Sequence, residues 1–126
     1  MDDFWPEPER ASAVIDISLV RSSPPVPLVS FDRRELSQIL KVYGRMVAAG
    51  EWRDYAIDAL KDRAVFSIFR RTSEMPLFRV VKDPKLARRQ GAYSVVAAGG
   101  QILKRGHDLA VVLNVFDRHL KVIENA

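Results

Sequence analysis

Apolar residues recur at helical spacing in a segment that begins about thirty residues into the chain. The stripe of this segment consists of Leu36, Ile39, Leu40, Tyr43 and Val47. Residues three and four apart share one face of an α-helix, so the stripe predicts an amphipathic helix. Asp32 is placed to cap its first amides, and Glu35 occupies the capping-box position. Gly50 supplies the left-handed residue that ends such a helix.

A second helical stripe lies near the end of the chain. It consists of Leu109, Val112, Leu113, Phe116, Leu120 and Ile123. We expect this last helix to begin near His107 and Asp108, directly after Gly106.

Between the two helices, the apolar pattern changes to the short β-branched and aromatic runs that are typical of strands. These runs cover residues 65–69, 77–81, 93–97 and 101–104. Gly99 and Gly100 separate the last two, and adjacent glycines supply the positive φ angles of a tight hairpin turn. Residues 55–59 also alternate, but a helix over residues 52–62 fits the same apolar positions and stays open as the alternative.

Residues 83–91 carry the signals of a short helix. Asp83 stands at the cap, Pro84 in the first turn and Gly91 after the end. The whole pattern predicts an α+β fold with an N-terminal helix, a four-stranded mainly antiparallel sheet containing a short helical insertion, and a C-terminal helix. Two helices with one apolar stripe each would cover one face of that sheet in a two-layer stack. This single domain would span residues 29–126.

Residues 1–28 have a different composition and contain five prolines, which interrupt any helix. We expect a disordered or loosely docked N-terminal tail. Within it, residues 13–20 are apolar and β-branched. We expect an edge strand or a segment that docks only transiently, and the alternative is a short linear motif for a partner protein.

The composition is that of a folded protein, with 126 residues, 48% hydrophobic and 29% charged. The chain has no cysteine, which excludes disulfides, thiolate metal sites and cysteine nucleophiles. Its start lacks the basic and then apolar sequence of a secretory signal, and no apolar run approaches the length of a membrane helix. We therefore expect a cytoplasmic protein without membrane association.

Charge is distributed unevenly along the chain. Residues 1–16 have a net charge of −4, whereas residues 63–107 carry ten Lys or Arg against only Glu74 and Asp83, a net charge of +8. A concentrated positive segment indicates an anionic partner such as nucleic acid or an acidic protein. The candidate contact residues are Arg70, Arg71, Arg79, Lys82, Lys85, Arg88, Arg89, Lys104, Arg105 and His107. The alternative is a solvated basic face on which these side chains do not converge.

The entry to the last helix is a second candidate for anion binding. Lys104, Arg105 and His107 precede free helical amides there, and Gly106 would allow close approach of the backbone. The simpler interpretation is that Asp108 or His107 caps the helix and Gly106 forms the turn.

The sequence offers little for catalysis. His107 and His119, the two histidines, lie about 18 Å apart along one helix, too far to ligate one metal ion. Asp54, Asp58 and Asp62 would share a face only if that segment were helical. No nucleophile elbow or phosphate-binding loop occurs. We therefore expect no enzymatic activity, no metal and no cofactor.

Two functional hypotheses remain. The first is a non-enzymatic accessory domain that binds an acidic partner such as nucleic acid through a basic surface from residues 70–105. The second is a protein-interaction or self-associating module such as a homodimer. It rests on the free edges of a short sheet and on Phe4, Trp5 and Trp52 as candidate exposed anchors.

Several short segments resemble a bacterial domain-of-unknown-function family of small intracellular proteins. They are residues 29–36, 50–55, 69–72, 90–94 and 103–109. Within them, Val29-Ser30-Phe31-Asp32-Arg33-Arg34-Glu35-Leu36 and Leu103-Lys104-Arg105-Gly106-His107-Asp108-Leu109 are the longest. The resemblance covers roughly residues 29–118. It implies no assigned activity, cofactor or catalytic residue.

Overall fold

A computed structural model describes residues 27–71 and 74–125, with side chains described as far as Arg118. The predicted tail therefore lies almost wholly outside the described residues, as do Phe4, Trp5 and residues 13–20. The elements are α1 (Arg33–Ala48), β1 (Asp54–Ala59), β2 (Ala64–Phe69), β3 (Phe78–Lys82), β4 (Tyr93–Ala97), β5 (Ile102–Gly106) and α2 (Leu109–Asn125). The α+β class is confirmed.

Helix α1 begins and ends as its sequence predicts. The Asp32 side chain accepts a hydrogen bond from the Glu35 amide, and the Glu35 side chain accepts one from the Asp32 amide, which completes the capping box. At the other end Gly50 has φ +79°, and its amide and that of Glu51 bond to carbonyls of the last turn. The buried stripe is rotated from the predicted one, since Val42 and Met46 are buried and Val47 is exposed.

The strands form one antiparallel meander in the order β1-β2-β3-β4-β5. The prediction of a four-stranded sheet is therefore wrong, because the sheet has five strands. Residues 54–59 form a full edge strand, and the alternative helix over residues 52–62 is excluded. The apolar residues of this segment fit both the helical and the strand period. The segment forms a strand because it pairs with all six residues of β2.

Both helices pack on the same face of the sheet, so the two-layer arrangement is present. Phe66, Val80 and Val95 project from neighbouring strands on this face and are fully buried. From α1, the Tyr43 ring lies 6.1 Å from Phe66, and from α2, Phe116 lies 5.1 Å from Phe78. Trp52 is 2% exposed and packs edge-on against Phe116, so the expectation of an exposed anchor at Trp52 is wrong.

The connection between β3 and β4 is tighter than predicted. It contains one 3₁₀ turn, Pro84–Leu86, capped by Asp83, in place of a short α-helix. The Gly91 amide bonds back to the Leu86 carbonyl, and Gly91 has φ +99°. A further hydrogen-bonded turn over residues 86–91 follows the 3₁₀ turn, so no regular α-helix forms that would place Lys85, Arg88 and Arg89 on one face.

Helix α2 follows directly after β5, with Asp108 accepting a hydrogen bond from the Ala110 amide in its first turn. Leu109, Val112, Leu113 and Phe116 of the predicted stripe are buried. The side chains of Leu120 and Ile123 lie outside the described ones. Within the described part of the chain, no helix has the length and apolar character that crossing a bilayer requires.

Candidate functional site

The sheet face opposite the helices carries part of the predicted basic surface. We call this the open face, since both described helices lie on the other side. Pairing of β3, β4 and β5 places Arg79 beside Val96, and Arg105 beside Ser94. Two strand spacings separate β3 from β5, so these arginines stand on the order of 10–12 Å apart on one surface.

A groove of about 470 Å³ runs over this open face. Its floor includes Val65 and Ser67 of β2, which are only 8% and 7% exposed without a covering helix. Arg79 from β3 and Arg63 from the β1–β2 hairpin line it, with Asp58 at its acidic end. The groove therefore combines a small-residue floor with cationic walls.

The structure separates the predicted basic residues into groups. Two are already neutralised, because Arg70 pairs with Glu51 at 3.1 Å and Lys82 pairs with Glu35 at 2.8 Å. Arg79 and Arg105 are on the open face, and Arg71 is exposed just after the end of β2. Lys104 lies on the helix side of β5, since it stands opposite Val95. Lys85, Arg88 and Arg89 are exposed on the β3–β4 connection.

One hydrogen bond links that connection to the open face. Arg105 donates from Nη1 to the Gln90 side-chain oxygen. The Nε of Arg105 is buried without a partner among the described residues. Within the same described set, no ion pair involves Arg79, Lys85, Arg88 or Arg89. Arg79 is partly exposed, and Lys85, Arg88 and Arg89 are exposed.

An internal ionic cluster lies beneath the start of α1. The Glu35 carboxylate is 8% exposed, and Lys82 donates to its Oε1 at 2.8 Å. Tyr93 donates its hydroxyl hydrogen to Oε2, and Lys82 also bonds to the Ser30 carbonyl at 3.0 Å. Three segments that are distant in sequence are thus joined at one carboxylate.

The cluster changes the acidity of its members. Burial of the Glu35 carboxyl favours its neutral form, but hydrogen bonds from Lys82, Tyr93 and the Asp32 amide outweigh it and lower the Glu35 pKa below 4.5. Burial and the nearby Glu35 carboxylate raise the pKa of Tyr93 to about 12. Glu35 is therefore ionised and Tyr93 protonated at neutral pH.

A polar cleft of about 390 Å³ opens beside this cluster, between the starts of α1 and α2. Asp32, Tyr93, His107 and Asp108 are among its lining residues. Asp32 and Asp108 each accept an amide hydrogen bond from their own helix. The helix start that was the second candidate for anion binding is thus capped by Asp108, with His107 at the cleft wall.

The described residues contain no group of three or more His, Asp or Glu that could hold a metal ion. Asp54 and Asp58 lie on one side of β1, but they are four residues apart along an extended strand, about 13 Å.

Sequence reasoning missed the ionic cluster. Glu35 was recognised as a capping-box residue, but its partners Lys82 and Tyr93 lie 47 and 58 residues away in the chain. No spacing rule connects residues so far apart. Only the assignment of Lys82 and Tyr93 to the helix side of neighbouring strands, in the observed register, could have indicated it.

A comparison with known protein families matches residues 29–113, more than half of the chain, to a family described as Protein of unknown function (DUF2794). No curated protein and no solved structure matches the chain. The matched region includes all five strands, the ionic cluster and most of the basic residues. The expected resemblance to a family of unknown function is confirmed, and the chain belongs to the DUF2794 family.

Proposed function

We propose that this chain is a non-enzymatic accessory domain that binds an acidic partner, nucleic acid, through a basic surface on and beside the open face. One observation carries the proposal. Arg79 and Arg105 share a sheet face that neither described helix covers, and the Arg105–Gln90 hydrogen bond holds the basic β3–β4 connection against that face.

The available charge supports phosphate binding. Lys85, Arg88 and Arg89 are exposed and lack ion pairs among the described residues. A side chain that is not already paired can release a condensed counterion when it meets a phosphate, which makes affinity strongly dependent on salt. Arg70 and Lys82 contribute less, because Glu51 and Glu35 already neutralise them.

Titration with labelled single-stranded and duplex DNA and RNA at two salt concentrations tests this proposal. We expect binding tighter than about 10⁻⁴ M at low salt, weakening as salt rises. The triple variant Lys85→Glu, Arg88→Glu and Arg89→Glu should bind at least about tenfold more weakly, since three phosphate contacts become repulsive.

A matched control separates a binding surface from net charge alone. Arg33, Lys41 and Lys61 are exposed basic residues elsewhere on the chain. Changing these three to Glu alters the net charge by the same amount and should weaken binding far less. Equal losses in the two triple variants, or no binding at low salt, would show that the basic surface is not the binding site.

A second candidate function is self-association, and the outer edge of β5 favours it. Ile102 and Leu103 are 47% and 39% exposed on this strand, which ends the sheet among the described residues. A second copy could extend the sheet there. Light scattering across a wide range of protein concentration tests it, with Leu103→Lys as the edge-blocking variant. A monomer at every concentration removes this candidate.

A further inference from the structure

Strand β1 leaves part of its backbone without a partner in the described structure. The Leu60 amide bonds to the Arg63 carbonyl in the β1–β2 hairpin. Because bonded residues alternate along an antiparallel ladder, Tyr55, Ile57 and Ala59 direct their main-chain groups outward. The Tyr55 amide bonds to the Asp54 side chain at 2.8 Å. The amides of Ile57 and Ala59 meet no described residue.

The same strand also exposes apolar side chains. Tyr55, Ile57 and Leu60 are 40%, 44% and 40% exposed, and Leu28 is 57% exposed. Of these residues, Tyr55 and Ile57 share the helix side of β1, and we call these two the β1 apolar strip. Helix α1 reaches β1 through Tyr43, whose ring lies 5.0 Å from Tyr55. Uncovered apolar side chains beside an unpaired strand edge indicate a surface that an additional strand would cover.

The N-terminal part of the chain arrives at this surface. The Val29 amide bonds to the Leu60 carbonyl at 2.7 Å, so the chain passes the end of β1 just before α1 begins. Residues 21–28 can span up to about 26 Å when extended, and β1 is about 20 Å long. A segment that precedes residue 21 can therefore reach every position along β1.

Residues 13–20 have the sequence that this edge requires. Ile15, Ile17 and Leu19 alternate with Val14, Asp16 and Ser18. We propose that residues 13–20 pair with the outer edge of β1 as a sixth strand, with Ile15, Ile17 and Leu19 covering the β1 apolar strip. Asp16 then stays on the opposite side of the strand, in water. This inference does not depend on nucleic-acid binding.

Amide hydrogen exchange on the full chain, followed residue by residue by NMR, tests the sixth strand. We expect the Ile57 and Ala59 amides to exchange slowly, because both would donate to residues 13–20. Proline has no amide hydrogen, and an edge strand tolerates it only where its N–H faces water. From Val14 to Leu19, every second residue would direct its amide towards β1. A single proline at one of these positions should therefore accelerate exchange of the Ile57 and Ala59 amides, and a proline at the positions between them should not.

The amides of β2 and β3 serve as the internal control, since they must stay protected in every variant if the domain remains folded. Fast exchange of Ile57 and Ala59 in the unsubstituted chain overturns the proposal. Slow exchange of these two amides that persists in every proline variant also overturns the proposal. Protection that grows with protein concentration would assign the edge to a second copy and would also overturn it.

Discussion

Glu35 has two structural tasks, because its carboxylate completes the cap of α1 and also accepts hydrogen bonds from Lys82 and Tyr93. A nearly buried carboxylate is stable only when its hydrogen bonds are made. It receives them from the helix amide, from β3 and from β4. One residue thus joins the first helix to the middle of the sheet.

Replacing this carboxylate should be costly. We expect Glu35→Gln to lower the free energy of unfolding by about 1–3 kcal/mol at neutral pH, since Lys82 would keep its charge without its partner. Glu51→Gln is the matched control, because its partner Arg70 is half exposed and such pairs contribute about 0–1 kcal/mol. Urea unfolding of both variants measures the difference.

The pH dependence of the same variant follows from the lowered Glu35 pKa. A carboxyl with a lower pKa in the folded state contributes stability that is present above its unfolded pKa and is lost as pH falls through the folded value. The unsubstituted protein should therefore lose more stability than Glu35→Gln between neutral pH and the acid range below 4.5. Parallel losses in the two proteins would contradict this account.

At the scale of elements, Gly91 decides how the β3–β4 connection meets the end of β5. A Cβ atom at Gly91 would lie 2.1 Å from the carbonyl carbon of Gly106, and the residue has φ +99°. Both the close approach and the backbone conformation require glycine. Gly44 in α1 is a contrasting case, because a Cβ there would meet nothing within 4 Å.

These two glycines therefore predict opposite results. We expect Gly91→Ala to destabilise the protein by more than about 3 kcal/mol, through the clash with backbone atoms and the strained φ. Gly44→Ala should stabilise it by up to about 1 kcal/mol, since alanine favours the helix. Thermal unfolding of the two variants shows directly whether each substitution raises or lowers the stability. A tolerated Gly91→Ala would show that the connection can move away from β5.

At the scale of the whole molecule, aromatic rings join the two layers. Phe116 of α2 lies 4.9 Å from Trp52 and 5.1 Å from Phe78, and it is 2% exposed. Both helices pack on this one face of the sheet, whereas Arg79 and Arg105 are partly exposed on the open face. The architecture therefore separates the stabilising side of the sheet from the proposed binding side.

The packing of Phe116 between the two layers leads to a prediction on stability. Phe116→Ala should lower the free energy of unfolding by about 3–5 kcal/mol, because it opens a cavity between the layers. Val111→Ala, at a position 49% exposed on the same helix, should change it by no more than about 0.5 kcal/mol. Denaturant unfolding measures both. A small effect of Phe116→Ala would mean that α2 does not form the second layer.

Local features were predictable from the sequence, and distant contacts were not. The cap at Asp32, the left-handed Gly50 and the turn at Gly99 and Gly100 all follow from short-range chemistry, and the structure contains each one. The secondary structure of residues 54–59 is ambiguous from sequence, because their apolar positions fit both the helical and the strand period. Trp52 is buried although the sequence offers it as a candidate exposed anchor, because a sequence does not show which side of an element is covered.

By itself, the sequence determined the α+β class, the bounds of α1, the start of α2, the turn at Gly99 and Gly100, and the accumulation of positive charge in the middle of the chain. Only the tertiary structure decided that the sheet has five strands and that Lys82 is neutralised by Glu35. It also decided that Arg79 and Arg105 face the same side. The physical reason is that caps, turns and periodicity depend on neighbours in sequence. Strand register and ion pairing depend on residues that only folding brings together.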